Sequence, residues 1–325
     1  MLSSSHGLLI NNGRQVNSKI LLRYLCWLDG CNEGQAHKLL FPDDPQDVPC
    51  VVELICAVVR LGQIDPTKPP YTSNLGQIVN IDVIIDLKAI SLLGLILDSL
   101  LEPFINPALS LSEQICRLSI ASHLIFSFYL VHRTSFLPNP LMYDTITMIK
   151  NAIFCAAKQV CLDCRSSFFL PDIGTNAIKT LFAYVQMCGG HDSGINYKQA
   201  IDQLCSARDI SDVYSRNPDL HRGHRQLNLT RSEHIDHINC DMWEGDIHTR
   251  NCNLQVAWFK GQDKAISILS KSLLCSKAYD YQSIFSVEGV DMLCIFGGGK
   301  YPGINHEDNT EDTSTIPSGP VANIG

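Results

Sequence analysis

The sequence predicts a mainly α-helical protein, an irregular multi-helix globular array with a disordered C-terminal tail. Three observations carry this. Apolar residues recur at intervals of three and four along most of the chain, the repeat that places them on one side of a helix. Capping and first-turn residues open several of these stretches. Strand-like alternation is scarce, with Leu293 to Phe296 as one candidate.

Taken in order, residues 1–15 read as a flexible N-terminus. Ile20 to Leu28 reads as a short helix, with Ile20, Leu21, Tyr24, Leu25 and Leu28 on one face. Pro42, Pro45 and Pro49 mark a loop leading into a helix near Val48. Asp47 is placed to cap it, and Val51, Leu54, Ile55, Val58 and Val59 supply its stripe. After a Pro-rich connector, a long apolar helix or helix pair is expected from about Gln77 to Phe104, ended by Pro103.

Ser110-Leu111-Ser112-Glu113 is a capping box, opening a helix to about His132. Asn139-Pro140 gives an N-cap followed by a first-turn proline, with Leu141, Thr145, Met148, Ile149, Ala152 and Ile153 as the stripe. Further helices fit Asn176 to Met187, Tyr197 to Cys205 and Asp263 to Leu274. Between Asn217 and Asn253 polar residues dominate, and an irregular segment pinned by Trp243 is expected.

The totals bound the architecture. A chain of 325 residues accommodates one large domain or two smaller ones. The helical domain is taken as residues 16–296, with a subdomain break near 134–139 or 206–220, and residues 297–325 as an acidic, disordered tail. Hydrophobic residues at 45% against 18% charged supply a real core and argue against wholesale disorder. A net charge of −8 disfavours broad phosphate binding and leaves room only for a local basic patch.

The 14 cysteines are too diluted for a small disulfide scaffold, and Cys26, Cys56, Cys116, Cys155 and Cys205 sit on apolar stretches where thiols act as small hydrophobes. No basic-then-apolar leader opens the chain, so a reducing, intracellular site, nuclear or cytoplasmic, is expected. No membrane span is expected either. Ile78 to Ile105 is interrupted by Asn80, Asp82, Asp86, Lys88 and Asp98, while Leu118 to Val131 is short and contains His123. Both read as buried helices.

Four groups of residues invite chemistry. Cys161-Leu162-Asp163-Cys164 is a single CxxC, half of a zinc site, whose partners would come from His221, His224, His234, His237 and Cys240. The candidate metal set is Cys161, Cys164, His234, His237 and Asp246, against the plainer alternative of ordinary thiols and loop polar groups. Asp236, Asp241, Glu244 and Asp246 would offer oxygen ligands to a divalent ion such as Mg²⁺, and with His237 would suit hydrolysis. Arg216, Arg222, Arg225 and Arg231 form a basic stretch suited to phosphate, or simply a solvated loop. Gly297-Gly298-Gly299-Lys300 lacks the spacing and hydroxyl of a phosphate loop and reads as a flexible exit. On composition and motifs alone, no cofactor is required.

A set of short stretches stands in a recognisable order: Asp43-Asp44-Pro45-Gln46-Asp47-Val48-Pro49, Leu111-Ser112-Glu113-Gln114-Ile115, Leu137-Pro138-Asn139-Pro140-Leu141, Gly189-Gly190-His191-Asp192-Ser193-Gly194, Arg216-Asn217-Pro218-Asp219-Leu220, Leu227-Asn228-Leu229-Thr230-Arg231, Asp236-His237-Ile238-Asn239 and Trp243-Glu244-Gly245-Asp246. Together they resemble a lineage-expanded family of uncharacterised fungal proteins related to mobile elements. That family is similar, around one motif, to the C-terminal half of P-element-like and THAP-type transposases. The motif is Gly-Thr-Asp-x-Leu-Glu, then Leu-Phe-Gly and a basic residue. The resemblance implies an RNase-H-like core whose carboxylates hold two metal ions, with the motif's Glu as the last acidic ligand.

Here the segment reads Gly174-Thr175-Asn176-Ala177-Ile178-Lys179, then Leu181-Phe182. Asn176 stands in place of the Asp and Lys179 in place of the Glu, while Gln186 replaces the basic residue. An amide and an ammonium cannot act as anionic ligands, and the ammonium repels a metal ion. The resemblance therefore implies a catalytically inactive fragment, lacking upstream fingers and first acids. Its motif would then be structural, starting a helix that packs Ile178, Leu181, Phe182 and Val185. The alternatives are a nucleic-acid- or protein-binding module using residues 216–231, and a metal-dependent hydrolase or nuclease using residues 236–246.

Overall fold

The computed structural model describes residues 8–9, 15–43, 47–65, 81–174, 182, 185, 188, 196–217 and 240–271. Among them are eight α-helices, and the one pairing of strands joins β1 (Leu8–Leu9) to β2 (Gln15–Val16) in antiparallel register. The mainly α class is thus the observed one. The strand expected at Leu293 to Phe296 and the tail over 297–325 lie outside the described residues.

The first three helices begin where their caps are. In α1 (Ser18–Leu25) the Asn17 side chain accepts from the Lys19 and Ile20 amides. In α2 (Glu33–Leu40) Asn32 and Gln35 form a reciprocal capping box. In α3 (Val48–Gly62) the expected Asp47 cap accepts from Cys50 at 3.0 Å. The expected stripe of α3 holds at Val58, with Leu54 packed against the core, but the inward face turns away from Val51. Val52, Ala57, Val58 and Leu61 are buried, while Val51 is 43% exposed. In a stretch this uniformly apolar, spacing alone does not choose the inward face.

Two long helices form the centre. α4 (Ile81–Ile105) is one helix, and Pro103 lies inside it rather than at its end. Pro103 sits so near the C-terminus that the helix runs only two residues further. α4 and α3 approach closely through glycine: a Cβ on Gly62 would lie 2.6 Å from the Ser91 Cα. α5 (Leu111–His132) has the predicted span and the predicted Ser110–Glu113 box. From Ile115 to Tyr129 nearly every residue of α5 is buried. α5 packs against α4 and against two later helices, over 139–162 and 254–271, so it needs apolar residues all round rather than one stripe.

α6 (Asn139–Leu162) departs from expectation at its start. Pro138 holds the N-cap position, and the Asn139 side chain instead accepts the Tyr129 hydroxyl. The buried row is Met142, Ile146, Ile149, Ala152 and Ala156, so Ile149 and Ala152 of the expected stripe hold while Leu141 and Met148 face outward. The 134–139 link carries Phe136 and Leu137 into the same core as α5 and α6. Residues 206–216 are helical, within α7 (Tyr197–Arg216), which runs eleven residues past its expected end and starts on an Asn196–Gln199 capping box. α8 (Leu254–Lys271) starts nine residues before its expected beginning.

Candidate functional site at a junction of two loops

The expected irregular segment is present over its described part, residues 240–253, and Trp243 does pin it. The Trp243 indole N–H donates to the Leu109 carbonyl at 2.8 Å, and its ring meets Phe169 edge-on at 5.3 Å. Gly245 follows because the loop passes directly over the start of α5. A Cβ there would fall 2.1 Å from the Leu109 oxygen. The Glu244 and Gly245 amides both donate to the Pro107 carbonyl, and the Asp246 carbonyl accepts from Leu111 at 2.9 Å. The start of α5 and the stretch Trp243 to Asp246 are therefore fastened to each other.

The same loop is sewn to the segment that follows α6. Ser167 and His248 face one another as an antiparallel bridge, and Phe168 donates to Ile247. The Thr249 hydroxyl donates to the carbonyls of Cys164 and Ser166. The Ser167 hydroxyl stands 3.3 Å from His248 Nδ1.

Asp246, proposed from sequence as a metal ligand, has both carboxylate oxygens engaged. One accepts the His248 backbone N–H at 3.0 Å, the other the Asn251 amide at 2.7 Å. The His248 hydrogen bond first, and then that from Asn251, hold the Asp246 carboxyl below the usual carboxylate range. Glu244 is exposed. Asp236 lies outside the described residues, as does the Asp241 side chain. Among the described residues no three His, Cys, Asp or Glu side chains are grouped as a metal ion would require.

The other sequence candidates divide as follows. Cys161 and Cys164 are both exposed, at the C-terminal end of α6. Arg216 is exposed in the last turn of α7. Asn176, Lys179, Arg222, Arg225, Arg231, His234 and His237 lie outside the described residues. Of the four residues expected to pack behind the degenerate motif, Val185 is buried in a helix, but Phe182, also helical, is 59% exposed. The inward face of that stretch therefore includes Val185 and excludes Phe182.

One polar group was not foreseen as buried inside a polar seam. His123 lies between α5 and α8, its ring 5.1 Å from Trp258 and its Nδ1 2.7 Å from the Ser119 carbonyl. The Ser119 hydroxyl donates to the Trp258 carbonyl at 2.6 Å. Burial pushes the His123 imidazole down to about 4, against the raising effect of the Ser119 carbonyl, so the ring is neutral at pH 7. Gly261 of α8 makes the close approach: a Cβ there would meet the Cys116 carbonyl at 2.5 Å and the Ser119 side chain at 2.4 Å. The sign in the sequence was the Ser-x-x-x-His spacing, which puts both residues on one side of α5.

No protein-family model, no curated protein and no solved structure matches the chain. Among the described residues no helix is long and apolar enough to cross a membrane.

Proposed function

We propose that this chain is a catalytically inactive, transposase-like protein of mobile-element origin, intracellular, that acts through its helical surfaces rather than by cutting DNA. The observation that carries the reading is the use made of Trp243 to Asp246. This is the described part of the acidic cluster that a metal-dependent nuclease would draw on. Several of its polar groups are committed to holding the loop: the Trp243 indole to the Leu109 carbonyl, the Glu244 and Gly245 amides to the Pro107 carbonyl, the Asp246 carboxylate to the His248 backbone N–H and the Asn251 side-chain amide. A carboxylate that accepts both of these hydrogen bonds has a structural task in the loop that accounts for its presence without a metal. The substitutions Asn176 and Lys179 support the same reading from sequence.

The test is a plasmid-nicking and strand-transfer assay of the purified chain in Mg²⁺ and in Mn²⁺. No cleavage above a boiled control is expected. Cleavage abolished by Asp246→Ala would replace this reading with the hydrolase alternative. DNA binding that weakens with salt and is lost on neutralising Arg216, Arg222, Arg225 and Arg231 together would replace it with the nucleic-acid-binding module.

A further inference from the structure

We propose that the exposed side of α6, together with the loop junction at its end, is a binding face for single-stranded nucleic acid. The inward row of α6, Met142, Ile146, Ile149, Ala152 and Ala156, is buried. Away from that row, Tyr143, Lys150, Phe154 and Lys158 follow one another at intervals of seven, four and four. Those intervals return to the same side of a helix. All four residues are exposed, Phe154 to 64%. Aromatic rings and ammonium groups therefore share one row, which runs about 22 Å from Tyr143 to Lys158.

The row leads into the loop junction. The Gln159 side chain, in the last turn of α6, donates to the Ser166 hydroxyl and ties the following segment to the helix. Arg165 lies in that segment, and the Thr249 hydroxyl donates to the carbonyls on either side of it, those of Cys164 and Ser166. Arg165 and Arg250 thus leave neighbouring points of the backbone, and both are exposed. Close by, the Ser167 hydroxyl stands 3.3 Å from His248 Nδ1, also at the surface.

Two features favour nucleic acid over an acidic protein. Lys150, Lys158, Arg165 and Arg250 are strung along the helix and past its end, an arrangement that suits a phosphate backbone. The exposed rings of Tyr143 and Phe154 stand in the same row, where bases can stack on them. A duplex, with its bases already stacked on one another, makes no such use of the rings. Two of the acids alongside are engaged: Asp163 accepts the Arg165 amide, and Asp246 accepts the His248 and Asn251 N–H groups. Asp144 is exposed at the far end of α6 from the arginines. This partner belongs to one of the helical surfaces invoked above, so the proposal rests on the reading of a non-cleaving chain.

The experiment follows the anisotropy of a fluorescein-labelled oligothymidylate of about 16 nucleotides, titrated with the full chain. Four phosphate contacts predict an affinity that falls about 50-fold between about 50 and about 200 mM salt. Lys150→Gln, Lys158→Gln, Arg165→Gln and Arg250→Gln together should abolish binding and leave the circular dichroism spectrum unchanged. Phe154→Ala should weaken binding about tenfold without altering its salt dependence. Lys198→Gln with Arg208→Gln, at exposed positions of α7, should change neither. No binding at low salt would overturn the proposal. So would binding that survives the fourfold change, that ignores Phe154→Ala, or that is lost instead on neutralising Arg216, Arg222, Arg225 and Arg231. Equal binding of labelled polyglutamate would overturn it in favour of an acidic protein. Cleavage of the probe in Mg²⁺ would sink the non-cleaving reading alone, whereas loss of binding sinks only the proposed face.

Discussion

Helices α5 and α7 start in the same way and end in different surroundings. Each opens on a reciprocal capping box, Ser110 with Glu113 and Asn196 with Gln199, and each runs for about the same length, 22 and 20 residues. Yet α5 is buried along nearly all of its middle, whereas in α7 Ala207 is buried and Tyr197, Ile201, Leu204 and Val213 are exposed. The cap decides where a helix begins, by satisfying amides that have no partner within the helix. What the helix then contributes to stability depends on the surface it buries. Two helices of similar length and with the same kind of cap therefore carry very unequal shares of the fold.

The largest expected effect tests that inequality at its centre. Leu124→Ala in α5 removes a fully buried side chain and should cost about 2–5 kcal/mol in denaturant unfolding. A loss below about 1 kcal/mol would show that α5 is not the core element described here. Next comes pH. The folded His123 titrates near 4 against 6.5 in the unfolded chain, so between those values the unfolded state binds more protons. Stability should fall as pH drops from about 6.5 to about 4, by about 3 kcal/mol, and be unaffected by this group above that window. Unfolding measured at pH 7 and pH 4.5, for the wild type and His123→Gln, reads this directly; the variant should lose that part of the pH dependence.

Gly261→Ala comes third. Its Cβ meets the Cys116 carbonyl and Ser119 at sub-van der Waals distance, and overpacking there should cost about 1–3 kcal/mol. An unchanged midpoint would mean that α8 can shift away from α5 without loss. Fourth, Ser110→Ala and Asn196→Ala each remove a capping oxygen worth about 1 kcal/mol. The first should lower global stability. The second should appear as faster amide exchange confined to the first turn of α7. Smallest of all is Leu204→Ala, a change at 44% exposure expected to stay within about 0.5 kcal/mol.

How much of this could be read beforehand follows the same division. Local features were legible: the Asp47 cap and the Ser110 box rest on residues within a few positions of one another, and the span of α5 follows from its cap and its apolar run. Trp243 was legible as an anchor only because it is the one large aromatic residue in a polar stretch, not through its partners Leu109 and Phe169. The inward faces of α3 and α6 were not. Val51 and Leu141 are as apolar as the buried Val52 and Met142 beside them, and only the neighbours across the interface choose between them. Asn139 shows a third kind of failure. Its position before Pro140 suits an N-cap, but the Tyr129 hydroxyl, ten residues earlier, claims its side-chain oxygen. The candidate site was legible in composition but not in geometry. Asp246 stood out in sequence as a possible ligand, while its hydrogen bonds to His248 and Asn251 depend on how the loop turns over α5.

The Leu111 amide, a first-turn N–H with no acceptor in its own helix, donates to the Asp246 carbonyl, 135 positions further along. Such a closure links biosynthesis to order of assembly. While the ribosome is still producing the intervening residues, this long helix, buried along nearly all of its middle in the finished fold, has emerged without α8 to cover it and without its first turn secured. Long-range pairings of this kind slow folding and lengthen the time that sticky surface is on show. A chain that stops short of residue 246 would keep every apolar residue of α5 and lose both its lid and its latch, which makes aggregation, rather than simple loss of stability, the consequence of C-terminal truncation.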